Sequence, residues 1–441
     1  MPFDLLGVLA EPNRRKLLAL LGEGERSVTD LAAEFAVTRS AISQHLTILV
    51  DAGLVEARQE GRFRFYRLVP GGVAALRAEI DEFWTTELDH LARTATRTTR
   101  TEQGNPHMPY DKSVFVPVPP DEAFALVTEP ERLRRWQAVA ARVDLRAGGD
   151  YRWTIVPGHT AAGTVTEVDP GRRVVLSWGW TGDDSLPPGA STVTISLTPG
   201  DGGTFVRLVH EGLTEEQVVG HTEGWDHYLD RLVAAAADGD AGPDAWAAAP
   251  DPLDALNAAE ASLAICQRAL RDLDDAAGAK ATPCAEFDVD ALIEHLLGSL
   301  TSMAMVAGAD PSTLPAPGSL VSDNARSSDA ERRVADLGQV AIEAWRERGI
   351  DGTVSMGPAE MPAELVAAIL TIELLVHAWD AATATGRTIT VDPALAEFGL
   401  AQLQSLAAAG ARTTDRFGPQ VDAPADADAL TRMLAFSGRQ A

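Results

Sequence analysis

The sequence predicts three successive domains of different class: a small helical domain closed by a β-hairpin, an α+β domain in which an antiparallel sheet wraps a helix, and an all-α helical bundle. Two observations lead there first. At 441 residues the chain exceeds what one hydrophobic core organises, and a typical domain size divides it into about three. Its hydrophobic periodicity is helical before Thr94, alternates in strand fashion between Lys112 and Glu211, and is helical again after Leu253. The third observation is the loss of periodicity in the Thr/Arg-rich stretch Thr94 to Pro109 and in the Ala/Asp/Gly/Pro stretch Ala234 to Pro252, the latter an acidic, flexible linker in this reading. The expected domains are 1–95, 108–235 and 252–441.

Charge is unevenly spread. The chain has 37 Lys and Arg against 64 Asp and Glu, a net charge of −27. An evenly acidic protein would be a poor partner for phosphate. Residues 1–100, however, hold 13 basic and 14 acidic side chains, leaving 24 and 50 for the rest, so the first hundred residues stay open to a nucleic-acid partner. The 45% apolar and 23% charged content is that of folded protein. Two cysteines, Cys266 and Cys284, imply no disulfide framework and suit a reducing compartment. The opening MPFDLLGVLAEP has neither a basic region nor a small-residue cleavage site, and the apolar run Leu365 to Trp379 is interrupted by Glu373 and His377 and looks too short to span a bilayer. A cytoplasmic protein without a membrane partner is expected.

In the first domain, helical patterns occupy Phe3 to Ala10, Asn13 to Leu21, Val28 to Phe35 and Arg39 to Ala52. Leu31, Ala32 and Phe35 share one face, as do Ile42, Leu46 and Leu49. The break Ala36-Val37-Thr38 has the length of the turn in a helix-turn-helix, with Thr38 placed to cap the second helix. That places Arg39, Ser40, Ser43, Gln44 and His45 near the start of the reading helix. Their types suit base edges and phosphates, Gln44 for adenine and Arg39 for guanine or backbone. Leu54 to Leu68 then alternates about a turn at Glu60-Gly61, with Arg58, Arg62, Arg64 and Arg67 around the tip. A basic hairpin after a reading helix makes a winged helix-turn-helix; the bland alternative is a solvated basic hairpin.

Through EPNRRKLLALL, VTDLAAEFAVTRSAISQHLTILVDAGLV and EGRFRFYRL, residues 1 to about 95 resemble the ArsR family of winged-helix repressors. The resemblance implies a homodimer on double-stranded operator DNA, paired through terminal helices, for which Val73 to Leu91 offers Leu76, Ile80, Phe83, Trp84, Leu88 and Leu91. Metal-sensing members carry cysteines before the turn, whereas Ser27 to Phe35 has none, and Asp81 and His90 are poorly spaced for ligation. The signal is therefore expected elsewhere in the chain.

The middle domain reads as a strand (Lys112 to Val118), a helical stretch (Pro119 to Trp136), strands at Asp150 to Val156, Gly163 to Asp169, Arg173 to Trp180, Ser191 to Pro199 and Gly203 to Glu211, and a closing helix from Thr214 to Ala235. VPVPPDEAFALVTEPERLRRW and HTEGWDHYLDRL resemble the START-like (SRPBCC) superfamily in its activator-of-chaperone-ATPase branch, which implies a helix-grip cup with an apolar cavity. Trp136, Trp153, Trp178, Trp180 and Trp225 are the candidate wall residues; plain core is the alternative. With no acid/base pair in evidence, a small-molecule effector is expected here rather than catalysis.

The last domain has helical patterns at Leu253 to Asp275, Val289 to Ala307, Ala330 to Arg348, Ala363 to Thr385 and Pro393 to Thr413. Glu373 and His377, four apart, project from one helical face, and a third side chain, His295, sits on the second helix. Together they offer N, N and O donors to one side of a divalent cation, against the alternative of satisfied core histidines. TPCAEFDVDALIEHLLG and ELLVHAWDAATATG resemble DinB/YfiT-like metal-binding bundles similar to mycothiol-dependent maleylpyruvate isomerase, a resemblance that implies zinc on His295, Glu373 and His377. Asp380 is placed to orient an imidazole, and Cys284 precedes the second helix, where a small buried side chain is the plainer reading. The whole chain then reads as a one-component transcriptional regulator with sensing domains, the alternative being a zinc-dependent thiol transferase or isomerase that also controls its own gene.

Overall fold

The computed structural model describes residues 12–22, 24–35, 39–60, 63–69, 71–72, 109–284, 287–312, 314, 329–356, 359–408 and 419–440. They fall into two compact units, Met1–Pro106 and His107–Ala441. The expected helices Phe3 to Ala10 and Val73 to Leu91, the cap Thr38 and nearly all of the stretch Thr94 to Pro109 lie outside the described residues.

In the first unit, α1 (Pro12–Gly22), β1 (Arg26–Ser27), α2 (Val28–Ala33) and α3 (Arg39–Asp51) precede the hairpin of β2 (Val55–Glu60) and β3 (Phe63–Leu68), and the sheet order is β1-β3-β2. Ser27 starts α2 by accepting a hydrogen bond from the Asp30 backbone N–H at 3.2 Å. Leu17, Leu31, Ile42, Leu46, Leu49 and Leu54 are completely buried, so the apolar stripes of the helices meet in one small core. The hairpin pairs Val55 with Leu68 and Glu60 with Phe63.

The second unit begins with β4 (Tyr110–Val116), α4 (Pro120–Thr128) and α5 (Pro130–Leu133). One helical stretch was expected from Pro119 to Trp136, but Glu129 precedes a proline and adopts an extended ψ of 128°, which separates α4 from α5. Next come β5 (Ala140–Val143), β6 (Asp150–Val156), β7 (His159–Asp169), β8 (Arg173–Trp178), β9 (Ser191–Gly200) and β10 (Gly203–Glu211), in an antiparallel seven-stranded sheet of order β4-β10-β9-β8-β7-β6-β5. Alternation sets the inward face: Val193, Ile195 and Leu197 of β9 and Val206, Leu208 and His210 of β10 are buried. Across that face runs α6 (Glu215–Asp238), started by a Thr214/Gln217 capping box and ended by Gly239 at φ 83°. Its buried Trp225, Leu229 and Leu232 follow helical spacing.

The segment from Asp240 to Pro252, read in sequence as a flexible linker, is pinned instead. Asp240 pairs with Arg271 and Arg268, Asp244 caps α7 (Ala245–Ala248) and meets His227 at 3.0 Å, and Trp246 stacks on the His227 ring at 3.9 Å. Beyond it, α8 (Ala255–Leu270), α9 (Val289–Val306), α10 (Ala330–Arg348), a short hairpin of β11 (Thr353–Met356) and β12 (Ala359–Pro362), α11 (Ala363–Ala367) and α12 (Ile369–Ala384) surround a core that includes Leu263, Leu297, Trp345 and Leu374. Two more helices, α13 (Pro393–Ala408) and α14 (Ala429–Phe436), pack on α8 and α12 through Leu375, Leu403 and Met433. By length and composition, Val289–Val306 and the 22-residue stretch Ala363–Ala384 are apolar enough to cross a membrane, which the shorter run read in the sequence did not suggest; 50% of the first and 78% of the most apolar 18-residue window of the second lie buried inside the fold, where they serve as core helices. Bundle and sheet are locked together: the Gly158 N–H donates to Glu260 at 2.7 Å, Gln267 donates to the Val139 carbonyl at 3.1 Å, and Arg152 meets Glu343 at 3.3 Å.

Candidate functional site

The residues singled out in the sequence fall into three groups. On α3, Gln44 is exposed while Ser43 and His45 are half-buried, opposite the fully buried Ile42, Leu46 and Leu49. The side chains of Arg39 and Ser40, and Arg62 as a whole, lie outside the described residues. On the hairpin, Arg58 pairs with Glu25 at 3.0 Å and lies 5.5 Å from the Phe65 ring centre, Arg67 pairs with Glu56 at 2.6 Å, and Arg64 lies 5.6 Å from the Tyr66 ring centre. Hydrogen bonding to Arg58 holds the Glu25 carboxyl below its ordinary pKa. Both pairs are solvent-exposed, so solvent screens them.

The second group lies between the sheet and α6. A cavity of about 270 Å³ is walled by Trp178, Trp180, Trp225, Ile155 and Tyr228, with Gln137, Gln217 and His221 among its polar residues. Trp136 faces a different cavity, and Trp153 belongs to the packed core, 4.9 Å from the Tyr151 ring and 5.8 Å from the Trp178 ring. Sequence reasoning missed the two histidines that organise this wall. The signal was there in part, since strand alternation through FVRLVHE turns His210 inward with Val206 and Leu208.

Indole N–H groups only donate, and this settles both imidazole tautomers. Trp225 Nε1 donates to His210 Nδ1 at 3.1 Å, so the His210 proton sits on Nε2 and donates to Ser191 Oγ at 2.8 Å; Ser191 in turn donates to the Trp178 carbonyl at 3.1 Å. Trp180 Nε1 donates to His221 Nε2 at 3.2 Å, so His221 donates from Nδ1 to the Gln217 carbonyl at 2.8 Å. Burial pushes the His210 pKa down to about 3, helped by His221, and burial also lowers that of His221. Both rings are neutral at physiological pH. Trp178 Nε1 is buried without a hydrogen-bond partner among the described residues, an unused donor on the cavity wall.

The third group is in the bundle. Consecutive turns of α12 place Glu373 and His377 together, and α9 brings His295 to them. Glu373 Oε2 lies 3.3 Å from His295 Nε2 and 3.6 Å from His377 Nε2, and the three donor atoms fall within 4.8 Å of one another. Two ligand atoms about 2.1 Å from one cation at a tetrahedral angle stand about 3.4 Å apart, so the spacing fits a shared cation. Glu373 Oε2 is buried, and the two imidazole Nε2 atoms are the partners that face it. His377 Nδ1 faces Asp380 Oδ2 at 3.1 Å, and Arg439, after α14, donates to both oxygens of that carboxylate, to Oδ2 at 2.9 Å and to Oδ1 at 3.3 Å. This arrangement leaves His377 Nε2 pointing at Glu373.

The electrostatics follow from these partners. Burial opposes charge on Glu373, but the facing imidazoles outweigh it and hold the carboxyl well below its usual range. Burial likewise lowers the His377 pKa, yet Asp380 and Glu373 carry it up to about 9. Cys266, wholly buried, is pushed up to about 12 and is inert, and Cys284 is half-buried in the turn before α9.

Residues 11–57 match the family model of the bacterial regulatory protein, arsR family; residues 117–237 match that of the Activator of Hsp90 ATPase homolog 1-like protein; residues 259–382 match that of the Mycothiol maleylpyruvate isomerase N-terminal domain. The three resemblances drawn from the sequence are thus met, each in its own segment. An HTH-type transcriptional regulator of Mycobacterium tuberculosis is 44% identical over 85 residues, 19% of this chain and 79% of that protein. The arsenical resistance operon repressor of Escherichia coli is 36% identical over 92 residues, 21% of this chain and 79% of its own length. Among solved structures, an AHSA1-like protein from Rhizobium etli is 40% identical, covering 33% of this chain and 92% of that one with a TM-score of 0.29.

Proposed function

The chain belongs to the arsR family of bacterial regulatory proteins, and from that premise we propose that it is a cytoplasmic one-component transcriptional repressor whose sensor lies in its later domains. In this reading a homodimer, paired through Val73 to Leu91, sets one copy of α3 in the major groove of each operator half-site. Thr38, Arg39, Ser40, Ser43, Gln44 and His45 meet bases and phosphates, and Arg58, Arg62 and Arg64 meet the backbone. Repression follows the relative named as an operon repressor. The observation that carries the reading is the two-faced α3, with Ile42, Leu46 and Leu49 wholly buried and Gln44 exposed.

The effector in this account is a small apolar molecule in the cavity of Trp178, Trp180 and Trp225, bearing one acceptor for Trp178 Nε1. It regulates by binding the DNA-competent and incompetent states unequally. A mobility shift on the protein's own promoter tests the DNA reading: wild type should bind, while Gln44→Ala and Arg39→Ala should each weaken binding by about 1 to 3 kcal/mol. Unchanged binding in both variants would dismiss α3 as the reading helix.

A second reading is favoured by the convergence of the His295, Glu373 and His377 donor atoms within 4.8 Å of one another. Here His295, Glu373 and His377 hold a divalent cation, zinc by its N, N, O donor set, and Asp380 with Arg439 fixes the His377 ring. Bound there, the cation supplies Lewis acidity that lowers the pKa of a water or thiol. The chain would then also be a zinc-dependent thiol transferase or isomerase. Metal analysis of purified wild type, His295→Ala and His377→Ala decides it: about one cation per chain is expected in wild type and a large loss in both variants, whereas equal content in all three removes the site.

A further inference from the structure

The cavity faced by Trp136 has a volume of about 390 Å³ and lies where the seven-stranded sheet domain meets the helical bundle. Its lining includes five arginines, Arg134 and Arg231 from the sheet domain and Arg268, Arg271 and Arg387 from the bundle, against two aspartates, Asp244 and Asp392. In a chain with 64 acidic and 37 basic residues, that local surplus of cations runs against the overall balance.

The arginines differ in how well they are neutralised. Arg271 is saturated, paired with Asp240 and with Glu331 at 2.8 Å, and Arg268 reaches Asp240 at 3.4 Å. Among the described residues, Arg387 donates only to neutral oxygens: Thr385 Oγ1, the Arg271 carbonyl and the Ala269 carbonyl. Arg231 likewise donates to the carbonyls of Trp136, Gly242 and Pro243, with Asp244 beyond hydrogen-bonding distance at 3.7 Å. Arg134 is 6% exposed, and its Nε and Nη2 are buried with no hydrogen-bond partner among the described residues; Glu331 stands 3.8 Å off and is already engaged by Arg271. Burial lowers the pKa of Arg134, Arg268 and Arg387, the mark of cations drawn from water without full compensation. The rest of the wall is apolar, with Ile155, Ile265, Ile389 and Val391.

We propose that this junction cavity is a second ligand site, which takes a small organic anion: a carboxylate or phosphate head among the arginines and an apolar body against the isoleucines. The volume falls within the usual range for ligand pockets, and an unpaired buried guanidinium is the group that a planar anion satisfies best. Because both domains supply arginines, the anion bridges them. The cavity also shares Gln137 and Ile155 with the aromatic cavity beside α6, so occupation of one is felt at the wall of the other.

Calorimetric titration of the full chain tests the site with octanoate, octyl phosphate and octanol as probes. Saturable binding of at least one anion at about one per chain, about tenfold or more tighter than octanol, is expected; preference between the two anions identifies the head group. Arg134→Met should weaken the preferred anion about tenfold, and Ile389→Trp, which fills the cavity without touching charge, should do so as well, whereas Trp180→Ala in the aromatic cavity should not. Equal binding of anion and octanol, failure of both anions to bind, or anion binding indifferent to both Arg134→Met and Ile389→Trp would overturn the proposal. Sensitivity to Trp180→Ala alone would place the anion in the aromatic cavity and overturn it equally.

Discussion

His210 in the sheet domain and His377 in the bundle are both buried histidines of one compact unit, and their surroundings drive them in opposite directions. His210 receives an indole N–H, gives its proton to a hydroxyl, has no hydrogen-bonded carboxylate among the described residues, and is pushed down to about 3. His377 lies between Glu373 and Asp380 and is carried up to about 9. Burial opposes charge at both; what differs is the partner set, acid-free at one and acid-rich at the other. The difference teaches that burial alone does not set a histidine's charge: the same desolvation leaves His210 neutral and His377 protonated, because only His377 has carboxylates beside it.

The largest expected effect comes from breaking the acid-rich side. Asp380→Asn strips the buried Arg439 of its carboxylate and should lower stability by about 3 to 5 kcal/mol in urea unfolding, the cost typical of an orphaned buried charge. Loss below about 1 kcal/mol would mean that the Asp380–Arg439 pair is an ordinary surface-like pair. Next is cavity creation at the acid-free side: Trp178→Ala should cost about 3 to 5 kcal/mol, yet Trp178→Phe, which removes the unused Nε1 donor and keeps much of the ring, should cost far less. Were the two equally severe, the indole N–H would have a structural partner after all.

A pH dependence sharpens the contrast further. With its folded pKa near 3 and an unfolded value near 6.5, His210 binds its proton first in the unfolded chain. Its contribution is therefore whole above about pH 6.5 and falls by about 1.4 kcal/mol per pH unit as pH drops toward 3. His221, shifted the same way, adds to the slope. His210→Gln should flatten the stability profile between about pH 6.5 and 5, a window above most carboxylate titrations; an unaltered slope would show that His210 is not held neutral. The smallest expected change is Arg58→Ala, which should leave stability nearly unchanged because its Glu25 pair is exposed, while lowering the salt dependence of DNA binding by about one phosphate contact.

Much of this architecture was legible in the sequence, for physical reasons that differ by region. The stripe Ile42, Leu46, Leu49 is a local periodicity, so α3 could be read without any tertiary information. Glu373 and His377 share a helical face by spacing alone and His295 could be named beside them from its place on the second helix, whereas zinc had to be carried in by resemblance. Illegible features depend on long-range packing. Arg439 meets Asp380 across 59 residues, His210 and His221 meet only when β10 and α6 close on each other, and the arginines of the junction cavity come from segments that share no pattern. Trp136 and Trp153 show the limit of reading aromatics as a class, since strand alternation sends them inward without saying which void, if any, they border. The segment after Gly239 was misread as flexible because its Asp, Gly and Ala content is that of a linker, while the arginines that pin it lie elsewhere.

The central claim is that a reading helix at one end answers to a guest held elsewhere in the chain, and promoter-DNA affinity across a titration of small neutral aromatic compounds tests it most directly. Wild-type protein should bind its own promoter and change affinity by about fivefold or more as a compound fills the aromatic cavity, with Trp180→Ala keeping DNA binding but losing the response. Promoter binding that no such compound alters, or a response that survives in Trp180→Ala, would contradict it.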